Sequence, residues 1–407
     1  MEPEATSVGS RLLANGYVMR FGGSRTHTTL AYFAAFTALG LTVGLLGPTL
    51  PGLARQTNVT LSAISYVFTA RSLGYVCGSL GGGKLLDERR GNSVLGTMLV
   101  LMSILMAMIP LASRLWFLLV LMLFLGIAEA TLDIGANTLL VWLHGSAVAP
   151  YLNALHSLFG VGALTAPIIV AQLVSSGHEL TLSYFAVAAV LLPIAIYVYG
   201  LPSPKPTGET GPLKSQRHDA TLLWLIALFL LLYVGAEIGF AGWVFTYAVE
   251  YGLSGPGPAA YLVSFFWGAL TLGRLVTVPA AARWAPARML LLSMAGALLS
   301  VLVILLQPVS YAFLLIGTTG LGLSLAPAFP AALAFARSHM NITGRITGLF
   351  VLGSSLGAMS VPLLIGQVFR IAGQRFFAFA IFTTLVAALG VLTLMVQVSR
   401  PMPATGN

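Results

Sequence analysis

Charge is what this sequence lacks. Only 8% of its 407 residues are Asp, Glu, Lys or Arg, while 57% are hydrophobic. Soluble proteins carry about 25% charged residues, so this chain cannot clothe a water-facing surface. That excludes a soluble enzyme or binding module and makes the chain an integral membrane protein. Cysteine is nearly absent as well. The single Cys77 excludes an intramolecular disulfide and a cysteine-based metal site. The first 25 residues are polar and rich in Gly and Ser, without a signal-peptide core or cleavage site. No nucleophile–base pair or metal-ligand cluster stands at a recognisable spacing, so no enzyme, cofactor or resident metal is expected.

What the chain has instead is apolar length. A membrane-spanning helix needs roughly 20 apolar residues. Short polar joints divide the chain into twelve such runs, near 28–54, 60–86, 93–112, 114–143, 149–175, 180–200, 221–250, 259–282, 287–307, 310–336, 343–370 and 376–398. The longest polar stretch, "LPSPKPTGETGPLKSQRHDAT", separates six runs from six and reads as a linker. The expected organisation is an N-terminal arm (1–27), a six-helix bundle (28–200), a linker (201–220), a second six-helix bundle (221–398) and a short tail (399–407).

The net charge of +9 is topology rather than a nucleic-acid surface. With both termini cytoplasmic, the inner joints hold Arg11, Arg20, Arg25, Lys84, Arg89, Arg90, Lys205, Lys214, Arg217, Arg283, Arg288, Arg337, Arg345 and Arg400. The outer joints hold only Arg55, Arg114, Arg370 and Arg375. Such a bias toward the inner side sets orientation. A multi-pass protein of a bacterial inner or plasma membrane is the expectation, with arm, linker and tail all cytoplasmic.

The two halves repeat. "GALTAPIIVAQ" (162–172) matches "GAMSVPLLIGQ" (357–367), sharing Gly-Ala, Pro and Gln in register. "SYVFTARSLGY" (65–75) matches "SFFWGALTLGR" (264–274), sharing Ser, Ala, Leu and Gly in register. Two parallel six-helix repeats resemble the plan of major facilitator transporters, which bind substrate near the bilayer midplane between the halves. The joint "GGGKLLDERRG" (81–91) is similar to that superfamily's G-x-x-x-D-R-x-G-R-R pattern: Gly83 and Asp87 fit, Glu88 replaces the first Arg, and Gly91 comes one residue late. An acid at a helix end near Arg89 and Arg90 can clamp neighbouring helices in one state, so Gly83, Asp87, Arg89 and Arg90 form a candidate cytoplasmic gate. The alternative is a turn with inner-side positive charge.

Of eleven acids, only Glu129, Asp133 and Glu237 lie well inside spans. An ionised group at mid-membrane costs about 2.5–3.5 kcal/mol on insertion scales, so such groups normally face a cavity. Glu129, Asp133 and Asn137 fall one helical turn apart, on one stripe. Two acids so placed disfavour double ionisation and can carry a proton; with an amide they can equally ligate a hard cation such as sodium. A structural pair neutralised by a neighbouring Arg is the alternative. Arg71 and Arg274 are the only basic residues deep in apolar runs, available to the acids or to a substrate oxygen, or else snorkelling to the interface.

In the fifth span Asn153 and His156 share a face with Gly160 and Ala163 and make a candidate polar network. Pro167 and Pro362, at equivalent places, point to kinks. In the seventh, "YVGAEIGFAGWVFTYAVEYG" joins Glu237 to Trp243 and Tyr247, and Trp267 stands in the eighth. Carboxyl and amide groups beside aromatic faces suit a ring bearing hydroxyls; interface anchoring is the alternative for each Trp. Trp116, Trp142 and Trp284 read as anchors.

"LDIGANTLLVWLHG" with "PYLNALHSLFGVGALTAP", "GAEIGFAGWVFTYAVEYG" and "AAYLVSFFWGALTLGRLVTVP" resemble the sodium-dependent glucose transporter-like branch of the major facilitator superfamily, related to bacterial fucose permease. The likeness covers both halves. It implies an all-α membrane protein of twelve transmembrane helices in two pseudo-symmetric bundles that takes up a hexose-like sugar by alternating access, coupled to a proton or sodium gradient. It also implies that Asp133 and Asn137, at the place of that family's acid and Asn in "E-T-x-A-N", serve ion coupling and sugar contact. The first span, "TALGLTVGLLGPTLPGL", departs from fucose permease-like carriers in having no acid. That shifts weight onto Glu129, Asp133 and Glu237 and leaves sodium against proton open.

The expected site is therefore Asp133 and Glu129 for coupling, with Asn137, Asn153, His156, Glu237, Trp243, Tyr247, Trp267 and Arg274 for substrate. The partners are the sugar and the bilayer, the chain acting as a monomer. Rivals are a proton-coupled efflux antiporter for lipophilic compounds, a lipid transporter, and a non-transporting receptor on the same scaffold. The Gly-before-Pro motif of efflux antiporters is absent, since Ala166 precedes Pro167.

Overall fold

In lipid every backbone N–H and C=O must be satisfied within its own segment, so apolar runs of this length become helices. The computed structural model describes residues 23–176, 180–205, 220–281, 283–340, 344–369, 371 and 376–399. It holds α1 (Gly23–Gln56), α2 (Leu61–Ile64), α3 (Tyr66–Glu88), α4 (Gly91–Met108), α5 (Leu115–His144), α6 (Ala149–Ser175), α7 (Leu180–Tyr199), α8 (Ala220–Glu250), α9 (Pro256–Ala281), α10 (Pro286–Leu306), α11 (Tyr311–Leu325), α12 (Ala328–His339), α13 (Gly344–Val368) and α14 (Phe376–Val398). Two short 3-10 turns, Ile109–Leu111 and Gly145–Ala147, extend α4 and follow α5. Most of the expected arm (1–22), much of the linker (206–219) and most of the tail (400–407) lie outside the described residues.

Two of the twelve expected spans are broken. The second divides at Ser65; the short α2 before it is capped at its start by Thr60, which accepts from the Ala63 N–H at 3.2 Å. The tenth divides at Ala326–Pro327, because a proline ring clashes with the preceding turn and offers no N–H. Among the described residues, eleven spans are by length and composition apolar enough to cross a membrane. Tyr66–Glu88 is long enough but carries Arg71, Lys84, Asp87 and Glu88, and it packs along the membrane-length α5. Apolar side chains such as Leu80, Ile196, Val276, Leu299 and Leu364 stay exposed around the outside, as a lipid-facing belt requires.

The repeat seen in sequence is a repeat in packing. α1 pairs with α6 as α8 pairs with α13, and α3 with α5 as α9 with α11. A Cβ added to Gly162 would stand 2.0 Å from the Thr37 carbonyl and 2.9 Å from the Leu41 nitrogen. A Cβ on Gly357 would stand 1.9 Å from the Leu231 carbonyl and 2.9 Å from the Gly235 nitrogen. The same backbone crossing is thus built twice, and only glycine admits it.

The halves meet closely at one end of the bundle and part at the other. At the far face, away from the start of α1 and the end of α14, α2 and α3 pack on α13. Gly242 leaves room for the Phe68 ring, which packs on Trp243 at 6.4 Å, and Trp243 on Phe369 at 5.0 Å. On the terminal face the halves diverge around a cavity.

Candidate functional site

A cavity of about 830 Å³ runs from the middle of the bundle toward the terminal face, lined from both halves. Phe68 belongs to its floor. Near the terminal face its wall includes Trp284 from the α9–α10 joint, Pro286 and Met289 from α10, and Pro330 and Leu333 from α12. Its middle carries every acid buried within the spans.

In the first half those acids are held by α3. Arg71 grips Glu129 through two parallel hydrogen bonds, Nε to Oε2 at 2.8 Å and Nη2 to Oε1 at 2.6 Å. Thr42 of α1 donates to the same carboxylate at 2.9 Å. The pair is enclosed, with side chains 14% and 2% exposed. One turn on, the Tyr75 hydroxyl donates to Asp133. Asn137 donates its amide to the Asp133 carboxylate and carbonyl, both at 2.9 Å. The stripe of Glu129, Asp133 and Asn137 is real, yet its members differ. Glu129 is neutralised, Asp133 faces the cavity without a cationic partner within 4.0 Å among the described residues, and Asn137 lies behind it as a brace.

In the second half Tyr233 donates its hydroxyl to Glu237, one turn along α8. Arg274 of α9 stands within electrostatic range of both. Unlike Arg71 it has no carboxylate within 4.0 Å among the described residues, and its Nε is buried without an acceptor. His156 meets the Phe36 ring edge-on at 5.5 Å and lies within electrostatic range of both Asp133 and Arg274. The cavity therefore gathers Asp133, Asn153 and His156 from one half with Glu237, Trp267 and Arg274 from the other.

Trp243 and Tyr247, expected to pack on a substrate ring, lie off the cavity wall in this conformation. Trp243 is fully buried and donates its indole N–H to the Pro362 carbonyl at 2.9 Å. Tyr247 donates to the Pro308 carbonyl at 2.6 Å and packs on Phe377. At 100° per residue Trp243 points about 120° away from Glu237, into the contact with α13. Trp267 does line the cavity, edge-on to Phe159 at 6.1 Å. Trp284, read as an anchor, lies on the cavity wall with the Arg288 guanidinium 5.2 Å from its ring centre.

The joint after α3 is open. Asp87, Arg89 and Arg90 are exposed, and a Cβ on Gly83 would meet nothing within 4 Å. The one ion pair there among the described residues is Lys84–Glu88, at 3.8 Å and well exposed, worth about 0–1 kcal/mol. Tyr75, Tyr233 and Thr42 are not among the site residues expected from sequence. The two tyrosines had a usable signal, each lying four residues from a charged group, Arg71 or Glu237, on the same helical face.

Residues 29–362 match the Major Facilitator Superfamily. The sodium-dependent glucose transporter 1 of Danio rerio is 30% identical over 394 residues, covering 86% of this chain; this chain spans 66% of that protein's length. The fold superposes on the crystal structure of a variant of the nucleoside transporter NupG with a TM-score of 0.73 at 14% identity, covering 92% of this chain and 99% of that one. It superposes on a variant of the E. coli fucose:proton symporter FucP with a TM-score of 0.63 at 18% identity, covering 93% and 100%. The protein is a membrane transport protein rather than an enzyme, similar in sequence to the sodium-dependent glucose transporters. The chain belongs to the major facilitator superfamily.

Proposed function

We propose that this protein moves a hexose-like sugar across the membrane by alternating access, driven by a proton or sodium gradient. The observation that carries the reading is the mid-bundle cluster on one cavity wall, contributed by both halves, with the far face closed. A solute seated there touches both halves at once, so rocking one against the other transfers it. The names of the Danio rerio and E. coli relatives support a sugar and a coupled cation.

Asn153, His156, Glu237 and Arg274 offer donors and acceptors to hydroxyls, and Trp267 offers an aromatic face to the apolar side of a ring. Asp133 is the coupling acid, because it faces the cavity and has no cationic partner within 4.0 Å among the described residues. Glu129 shapes its field from beneath. Asn137 acts through Asp133, and Trp243 supports the floor behind Phe68. With the termini cytoplasmic, this conformation faces inward. Asp87, Arg89 and Arg90 then stand free to clamp the inner face when it closes.

Purified protein in proteoliposomes, given labelled hexoses under imposed proton or sodium gradients, tests the proposal. Accumulation with one ion and competition by one sugar class is the expected outcome; neither accumulation nor competition by any sugar overturns it. A second reading, transport of a larger amphipathic solute, is favoured by one observation. The cavity exceeds what a single sugar fills, and Leu275, Val278, Phe329 and Leu333 make much of its terminal part apolar. Competition by alkyl glycosides or lysolipids but not by free hexose selects it.

A further inference from the structure

Gln172 and Gln367 end the two repeated segments, 195 residues apart, and neither lines the cavity. Both sit at the far face, and both cross from one half to the other. Gln172 of α6 donates its amide to the Tyr261 hydroxyl of α9 at 2.7 Å. Gln367 of α13 accepts from the Ser62 hydroxyl at 2.6 Å, and its amide donates to the Ser62 carbonyl at 3.0 Å and the Ser65 hydroxyl at 3.3 Å. The partners are repeat mates too. The offset of 199 that aligns 65–75 with 264–274 carries Ser62 onto Tyr261. One contact has been built twice.

We propose that Gln172–Tyr261 and Gln367–Ser62 are paired latches that hold the far face shut while the cavity is open to the terminal face, and that both release when the protein turns over. This rests on the alternating-access reading and goes beyond it in assigning gating residues at the closed face.

The chemistry suits the task. A carboxamide both donates and accepts, so it ties two helices without the desolvation that an ion pair demands. These latches lie at the edge of the bundle, where water replaces the broken bonds on opening. The two are unequal. Among the described residues the Gln367 side chain has three hydrogen bonds and the Phe68–Trp243–Phe369 stack beside it, whereas Gln172 is exposed and its side chain has one. The α2–α13 seam is the firmer one.

The test reads conformation and needs no substrate, so a wrong sugar assignment leaves it intact. Exposed Cys77 is replaced by Ala, and Ser72 on the cavity wall by Cys. Labelling of Cys at 72 by a membrane-impermeant thiol reagent is then timed separately from each side of the membrane. One neutral hydrogen bond is worth about a five-fold shift in equilibrium. Gln172→Ala should therefore speed far-side labelling about five-fold, Gln367→Ala by more, and the double variant by roughly the product. Ser62→Ala should add little to Gln367→Ala. Unchanged far-side labelling in the double variant, with terminal-side labelling intact, overturns the proposal. If the double variant labels from neither side, Cys at both 172 and 261, joined by a short bifunctional maleimide, decides. Joining should abolish far-side labelling and preserve terminal-side labelling; undiminished far-side labelling overturns the proposal.

Discussion

Replacing Glu129 with Gln removes one charge from the enclosed pair and leaves the Arg71 guanidinium without its counter-ion. The geometry sets the expected size. Both bonds of the fork are short, at 2.6 and 2.8 Å, and Glu129 is 2% exposed, so little water reaches the pair from the acid's side. Breaking a buried pair by removing one partner costs about 3–5 kcal/mol. Arg71 is 14% exposed at the cavity wall, which lets water solvate part of the stranded charge and places the cost near the lower end. For an unfolding unit of 150–250 residues each kcal/mol shifts the melting temperature by about 2–4 °C, so Glu129→Gln should melt about 6–12 °C lower. The assay is a thermal melt of the detergent-solubilised protein followed by size-exclusion fluorescence. Arg71→Leu combined with Glu129→Leu removes both charges, and apolar replacement of a buried pair is often neutral or stabilising. The double variant should melt close to the parent. A Glu129→Gln melt indistinguishable from the parent, or a double variant worse than the single one, would show that the pair is not a closed electrostatic unit.

The other expectations follow from single contacts. Asp133→Asn should abolish gradient-driven accumulation while sparing sugar exchange; accumulation at the parental level removes Asp133 from coupling. Gly357→Val should lower expression and melting temperature, because its Cβ would fall 1.9 Å from the Leu231 carbonyl and such crowding costs about 1–3 kcal/mol or more; a parental melt would mean α8 and α13 separate without penalty. Trp267→Phe, which keeps an aromatic ring packed between Phe159 and Phe266, should raise the KM for sugar several-fold with only a small drop in the melt. Trp243→Phe should do the reverse, lowering stability by about 1 kcal/mol through the lost bond to Pro362 with little change in KM. Exchange of those two outcomes would put Trp243 on the substrate and Trp267 in the scaffold.

Much of the fold was legible because the bilayer permits few answers. Apolar runs long enough to span must be helices, and the polar joints between them mark the ends to within a few residues. The breaks at Ser65 and Ala326–Pro327 were not legible as breaks, since each interrupts a run whose composition stays apolar. Within the site, one helix face was readable and its partner was not. The stripe through Glu129, Asp133 and Asn137 follows from helical spacing. That Arg71 takes Glu129 and leaves Asp133 to Tyr75 depends on how α3 lies against α5. Tyr233 could be found from its turn-apart position to Glu237. Thr42 could not, because nothing local marks which α1 residue meets α5.

The sequence by itself determined the membrane, the helices, the duplication and the family, because each depends on composition or spacing along one chain. Tertiary structure decided which carboxylate is paired with an arginine and which accepts from Tyr75 and Asn137 instead. It separated Trp267, on the cavity wall, from Trp243, packed behind the floor. It also brought Gln172 and Gln367 onto partners in opposite halves. These depend on distances of a few ångströms between helices far apart in sequence, where electrostatic and hydrogen-bond energies change most steeply and linear spacing carries no record of them.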